Sequence, residues 1–299
     1  MYNMDKLYEA VAERGHVCVG LDTSVDYIPE EERRRAASDT EAVLAYNKGI
    51  IDATADIAAC YKVQIAYYEE MGLPGLQAYA ATLRHIRDKG ALVIADIKRG
   101  DIADTASRYA RAHFEGDFEA DFVTLTPYLG MDSIEPWLEW ADKKGKGAFV
   151  LMRTSNKGRR DFQYLNIEGG SRLYDVVGDK LSELAAVRLG KHGYGAFGAV
   201  VGADPQSLQE REEAAAIRAE RSCLFFLIPG YGAQGGAASD AALLLREGNG
   251  GVVNASRSIL KAWQKRCHQK GCQAPFAEAA REAAIEMRDA IRKALIMAQ

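Results

Sequence analysis

Eight short apolar runs, each followed by a longer segment, recur along nearly the whole of this 299-residue chain. They occupy residues 16–22, 60–65, 91–98, 121–126, 147–152, 197–202, 222–228 and 250–255. Most are near-continuous rather than alternating, the pattern of strands covered on both faces. Between them, apolar spacing predicts helices over 42–57, 75–89, 133–144, 173–189 and 205–218. Strand and helix in alternation imply a parallel sheet, because parallel neighbours need a crossover long enough to hold a helix. Eight units point to a closed (β/α)₈ TIM barrel, although counting alone leaves an open doubly wound sheet as the alternative. No linker or shift in composition divides the chain, so residues 1–299 are read as one barrel domain. A polar loop over 156–171 and a long helix from Ala274 exceed what a minimal barrel needs. The Ala/Ile/Leu stripe of that helix reads as a packing face, and the Glu31–Arg35 charge run as a solvated helix face.

The formal net charge of -4 gives no broad attraction to nucleic acid or to a membrane surface. An anionic ligand would therefore be held by a few placed cations. The N-terminal residues lack the basic-then-apolar layout of a signal peptide, and no run supplies the ~18 apolar residues of a membrane span. Cys18, Cys60, Cys223, Cys267 and Cys272 form no regular framework, so a reducing, cytoplasmic setting is expected. Cys267, His268 and Cys272 lack the second ligand pair of a zinc module.

Barrel chemistry gathers at the C-terminal ends of the strands. Those ends carry Asp22, Lys62, Asp96, Lys98, Thr124, Thr126, Thr154, Ser155 and Gly202, then Pro229-Gly230 and residues 254–257. The third strand and its exit, LVIADIKRGDIADT, stand out. Residues two apart share a face, so Leu92 and Ile94 lead from the core to Asp96 and Lys98 at the mouth. Lys62 ends the neighbouring strand, and Asp101 follows three residues after Lys98. The expectation is a compact Lys–Asp–Lys–Asp array. As plain ion pairs such an array would add little stability, because desolvation cancels much of the attraction. Two lysines would repel a divalent cation, so no metal and no cofactor are expected. A fixed carboxylate beside a lysine suits carbanion chemistry, in which the ammonium stabilises and then protonates carbon.

A second signal lies at the last two strand exits. FLIPGYGAQGG supplies backbone amides and the Gln234 side chain, and VVNASRSI brings Arg257. Barrels often bind phosphate with these loops and a helix N-terminus, and Arg grips it with two donors.

The run Asp96-Ile97-Lys98-Arg99-Gly100-Asp101-Ile102 resembles the D-x-K-x-x-D-I motif of the orotidine 5′-phosphate decarboxylases. The resemblance continues in order from VCVGLD through YKVQ to PGYGAQGG and VVNASRSI. TPYLGMDSIEPW and the longer loops resemble the longer bacterial-type branch. It implies the last step of UMP biosynthesis, cofactor-free, with Lys98 as proton donor and Asp96 facing the substrate carboxylate. Lys62 and Asp101 would complete the network. It implies that Asp22 and Lys62 bind the ribose, Ser155 reads the pyrimidine edge, and Gln234 and Arg257 hold phosphate. It also implies a homodimer with shared sites, Asp101 and Thr105 entering from the partner chain. The rivals are a metal-dependent sugar-phosphate decarboxylase or aldol enzyme of the same superfamily, which would carry an acidic ligand at Lys62, and a non-catalytic nucleotide-binding barrel, which would need no Asp96–Lys98 pair.

Overall fold

Eight parallel strands follow one another around the molecule: β1 (Val17–Gly20), β2 (Cys60–Gln64), β3 (Leu92–Arg99), β4 (Phe122–Leu125), β5 (Gly147–Arg153), β6 (Phe197–Val201), β7 (Phe226–Ile228) and β8 (Gly251–Ala255). In this computed structural model β1 pairs with both β2 and β8, which closes the barrel and removes the open-sheet alternative. Described are residues 1–203, 205, 207–232, 237–270 (267–270 by backbone alone) and 275–298.

The near-continuous apolar runs divide into two packed layers, as alternation along each strand requires. Val17, Val19, Tyr61, Val63, Val93, Ala95 and Ile97 point outward to the helices. Cys18, Cys60, Ile94, Phe122, Phe149, Val200, Leu227 and Val252 fill the interior. The Phe122 and Phe149 rings lie 5.4 Å apart there. Gly147 and Gly198 make room for them, since a Cβ would meet those rings at 2.6 and 3.1 Å. The helix Asn3–Arg14 closes the floor, its Met4, Leu7 and Val11 joining the interior cluster at helical spacing.

The sequence-predicted helices appear as Asp39–Thr54, Gly72–Asp88, Glu135–Lys144, Leu173–Ala186 and Leu208–Glu220, with Ala103–Phe114 between β3 and β4. The C-terminal helix Phe276–Ala298 buries Ala280, Ala284, Met287 and Ile291, the expected stripe. Its Phe276 stacks on Tyr46 at 4.5 Å. The Glu30–Arg35 helix is solvated, Arg35 pairing with Glu31 and Glu32. Two expectations need correction. The seventh strand begins at Phe226 rather than 222, because the Leu224 amide turns back to the Arg221 carbonyl at 3.1 Å. Lys62 stands in the middle of β2, which runs on to Gln64.

Burial holds His16 and His113 neutral, each pushed down to about 4. His16 Nε2 donates to the Gly248 carbonyl at 2.9 Å, and the Nδ1 atom of each ring is buried without a partner. Protonation would bury an N–H with no acceptor. Between pH 6.5 and 4 the unfolded chain therefore binds more protons than the folded one, and stability must fall with pH. Each histidine should remove on the order of 2 kcal/mol between pH 7 and 4.5. Urea midpoints at the two pH values check this, and His113→Phe, which keeps a ring against Phe118, should flatten the slope. An unchanged slope in that variant would contradict the assignment.

Candidate active site

The strand ends surround a cavity of about 770 Å³ at the C-terminal mouth of the barrel. Its lining includes Asp22, Lys62, Asp96, Lys98, Ser155 and Arg257, six of the nine residues singled out from the sequence. Leu151, Val200 and Leu227 provide an apolar floor, continuous with the barrel interior.

Asp96 is the hub. Lys98 Nζ donates to its Oδ1 at 2.6 Å, and Lys62 Nζ to its Oδ2 at 2.8 Å. Lys62 also reaches Asp22 Oδ1 at 3.1 Å, whose other oxygen accepts from Ser256 Oγ at 2.9 Å. The result is a row of four alternating charges, Asp22–Lys62–Asp96–Lys98. Burial alone would raise the Asp96 pKa, but the two ammonium groups outweigh it and hold the carboxyl well below its usual range. Burial alone would likewise lower the Lys62 pKa, but Asp22 and Asp96 raise it instead. The contribution of Asp96 to stability is lost as pH falls through its depressed value, that of Lys62 as pH rises through its raised one. From about pH 4 to pH 10 both stay charged.

The two lysines differ in access. The Lys62 side chain is 6% exposed and lies between the Asp22 and Asp96 carboxylates in the cavity wall, whereas that of Lys98 is 48% exposed at the cavity edge. Lys98 is placed there by a break in the strand. Its backbone adopts φ +44°, and the pairing of β3 with β4 slips between Ala95 and Arg99. The expected shared face thus holds for Leu92, Ile94 and Asp96, while Lys98 reaches Asp96 from a left-handed turn.

On the opposite wall, Ser155 follows β5 in a loop tied down at Thr154. The Thr154 amide donates to Gln163 Oε1 at 2.8 Å, and Arg159 Nη1 donates to the Thr154 carbonyl at 3.1 Å. Arg159 is buried and pairs with Glu210 at 2.9 Å, anchoring the 156–171 loop to the Leu208–Glu220 helix that follows β6. Gly202 packs so closely on Ser155 that a Cβ there would come within 2.9 Å of its backbone.

Asp101 does not join the array within its own chain. Its carboxylate accepts from the Ile102 amide at 2.9 Å, and the chain turns outward into the Ala103–Phe114 helix. Asp22 takes the fourth place instead. Thr105 is exposed on that helix. Gln234 lies outside the described residues, as do Cys272 and the side chains of Cys267 and His268. Among the described residues no cluster of three His, Cys, Asp or Glu side chains could hold a metal ion, and no helix is long and apolar enough to cross a membrane.

Sequence reasoning gave no role to Gln64, Ser256 or Gln163. Gln64 pairs in register with Asp96 and donates to its Oδ2 at 2.9 Å. Its signal was available, two residues beyond Lys62 on the same strand face. Gln163 comes from an irregular loop and carried none.

Residues 15–267 match the orotidine 5′-phosphate decarboxylase / HUMPS family. The chain belongs to that family. It is 56% identical over 292 residues to an orotidine 5′-phosphate decarboxylase of Clostridium perfringens, covering 98% of this chain and 99% of the relative. The protein of the same name from Clostridium acetobutylicum is 54% identical over the same shares. The solved structure of Leishmania donovani OMP decarboxylase superposes with a TM-score of 0.77 at 32% identity, covering 99% of each chain. That match over both full lengths includes the long loops and bears out the longer branch of the family.

Proposed function

We propose that this family member decarboxylates orotidine 5′-phosphate to uridine 5′-phosphate at the barrel mouth, without a cofactor, through Asp96 and Lys98. The observation that carries the residue assignment is the Asp96 carboxylate bonded at once to a buried ammonium and to an exposed one. A substrate carboxylate beside Asp96 meets a charge that cannot be relieved by protonation near neutrality. The bond from the pyrimidine carbon to the carboxylate breaks, CO₂ leaves, and the electron pair stays on the ring carbon. Lys98 Nζ stabilises that pair electrostatically and then delivers its proton to it. Water later returns a proton to Lys98. Asp22 and Lys62 bind the ribose hydroxyls, Ser155 the pyrimidine edge, and Gln234 with Arg257 the phosphate. The row of four charges sums to zero, so Arg257 is the uncompensated cation among the assigned residues of the described lining.

The same reading makes the enzyme a homodimer with shared sites. Asp101 and Thr105 do not line their own cavity, and they lie beside the exposed Ile102 and Tyr109. Tyr128 and Leu129 add exposed apolar surface of a kind that often marks an interface. A second copy seated there would bring Asp101 and Thr105 to the neighbouring mouth. A cytoplasmic location accords with the free thiols of Cys18, Cys60 and Cys223.

Arg257→Ala tests the phosphate assignment. Losing an Arg–phosphate contact costs a few kcal/mol, roughly 10²- to 10³-fold in kcat/KM. The loss should appear with orotidine 5′-phosphate and be nearly absent with unphosphorylated orotidine. Equal losses on both substrates would make Arg257 a structural residue.

A further inference from the structure

Thr124, at the exit of β4, is 1% exposed and lines the same cavity. The pairing of β3 with β4 runs through Ile94 opposite Phe122 and Ala95 opposite Val123, then resumes with Arg99 opposite Leu125. Asp96, Ile97 and Lys98 are left without ladder partners on β4, and Lys98 sits there with its left-handed φ. One hydroxyl replaces the missing ladder. Thr124 Oγ1 accepts from the amides of Ile97 and Lys98, each at 3.0 Å, and donates to Asp96 Oδ1 at 2.8 Å.

A hydroxyl has two lone pairs and one proton. The two amides occupy the lone pairs, so the proton is directed at Asp96. The carboxylate then receives four donors, Thr124 and Lys98 on Oδ1 and Lys62 and Gln64 on Oδ2. That fills about all the acceptor sites an ionised carboxylate offers and leaves it no freedom to rotate. We propose that Thr124 is a positioning residue for decarboxylation: its single hydroxyl holds the turn that presents Lys98 and orients the Asp96 carboxylate against it. This rests on the roles given above to Asp96 and Lys98. Thr124 transfers no proton to the substrate and acts through its two neighbours.

The test is steady-state kinetics of Thr124→Val and Thr124→Ser with orotidine 5′-phosphate. Val keeps the branched shape and strands both amides. It should lower kcat about 10²-fold, the cost of a displacement of about 1 Å in a catalytic group, with KM changed by less than about threefold. Ser keeps the hydroxyl and should hold kcat within about fivefold of the parent. If Thr124→Val does not fold, Thr124→Ala and Thr124→Ser form the deciding pair, since they differ by the hydroxyl alone. A kcat far lower in Ala than in Ser supports the proposal, and equal values overturn it. Full kcat in Thr124→Val, or a loss carried by KM, also overturns it. A parent enzyme inactive on orotidine 5′-phosphate would instead overturn the functional reading beneath it, a result distinct from an active parent with an equally active Val variant.

Discussion

Lys98→Ala is expected to leave a folded barrel with no measurable turnover of orotidine 5′-phosphate. The side chain is half-exposed at the cavity edge and belongs to neither packed layer, so its loss removes little burial. Asp96 keeps its bonds to Lys62, Gln64 and Thr124. Chemistry loses two things together. The carbanion forms without an adjacent ammonium, and no proton is held ready for it. Decarboxylation at a pyrimidine carbon has no conventional electron sink, and catalysis must lower its barrier by on the order of 20 kcal/mol. A positioned acid contributes about 10²- to 10⁴-fold, and a preorganised charge a comparable factor. A loss of at least about 10⁴-fold in kcat is therefore expected, with the melting temperature within a few degrees of the parent. Retention of more than a few per cent of activity would remove Lys98 from the proton-donor role.

The second large effect is a recovery. If Asp101 crosses a two-fold interface, each site joins Lys98 of one chain to Asp101 of the other. Lys98→Ala and Asp101→Asn homodimers should then both be nearly inactive. In a mixed dimer, two-fold symmetry places both changes in one site and neither in the other. Refolding an equal mixture should restore about a quarter of parental activity, since half of the dimers are mixed and each has one intact site of two. If Asp101 serves its own chain, every site carries one defect and mixing restores nothing. The physical motive for this test is the position of Asp101, which bonds to the Ile102 amide rather than to either lysine of its own mouth.

What was legible in the sequence follows the physics of each element. The eight strands were visible because helices cover one face and barrel packing the other, which leaves apolar runs without alternation. Asp96 was visible because a charge at the end of such a run must face the mouth. Lys98 was visible as a residue but its backbone was not, since nothing in a lysine announces a positive φ and the slip against β4 is a tertiary event. Asp101 was misplaced within a single chain for the same reason, because the turn after Lys98 carries it outward. The floor helix went unread, its Met4, Leu7 and Val11 being too few to mark periodicity against a charged background. Gln163 reaches Thr154 from a loop whose path depends on Arg159 and Glu210 meeting across two barrel units, which no local pattern encodes.

Cofactor-free decarboxylation is measured by mixing the purified protein with orotidine 5′-phosphate in excess EDTA and following the orotate absorbance. The absorbance should disappear with release of one CO₂ and one uridine 5′-phosphate per substrate, at a rate unchanged by the chelator. No turnover, or turnover that EDTA abolishes and magnesium restores, would contradict cofactor-free decarboxylation.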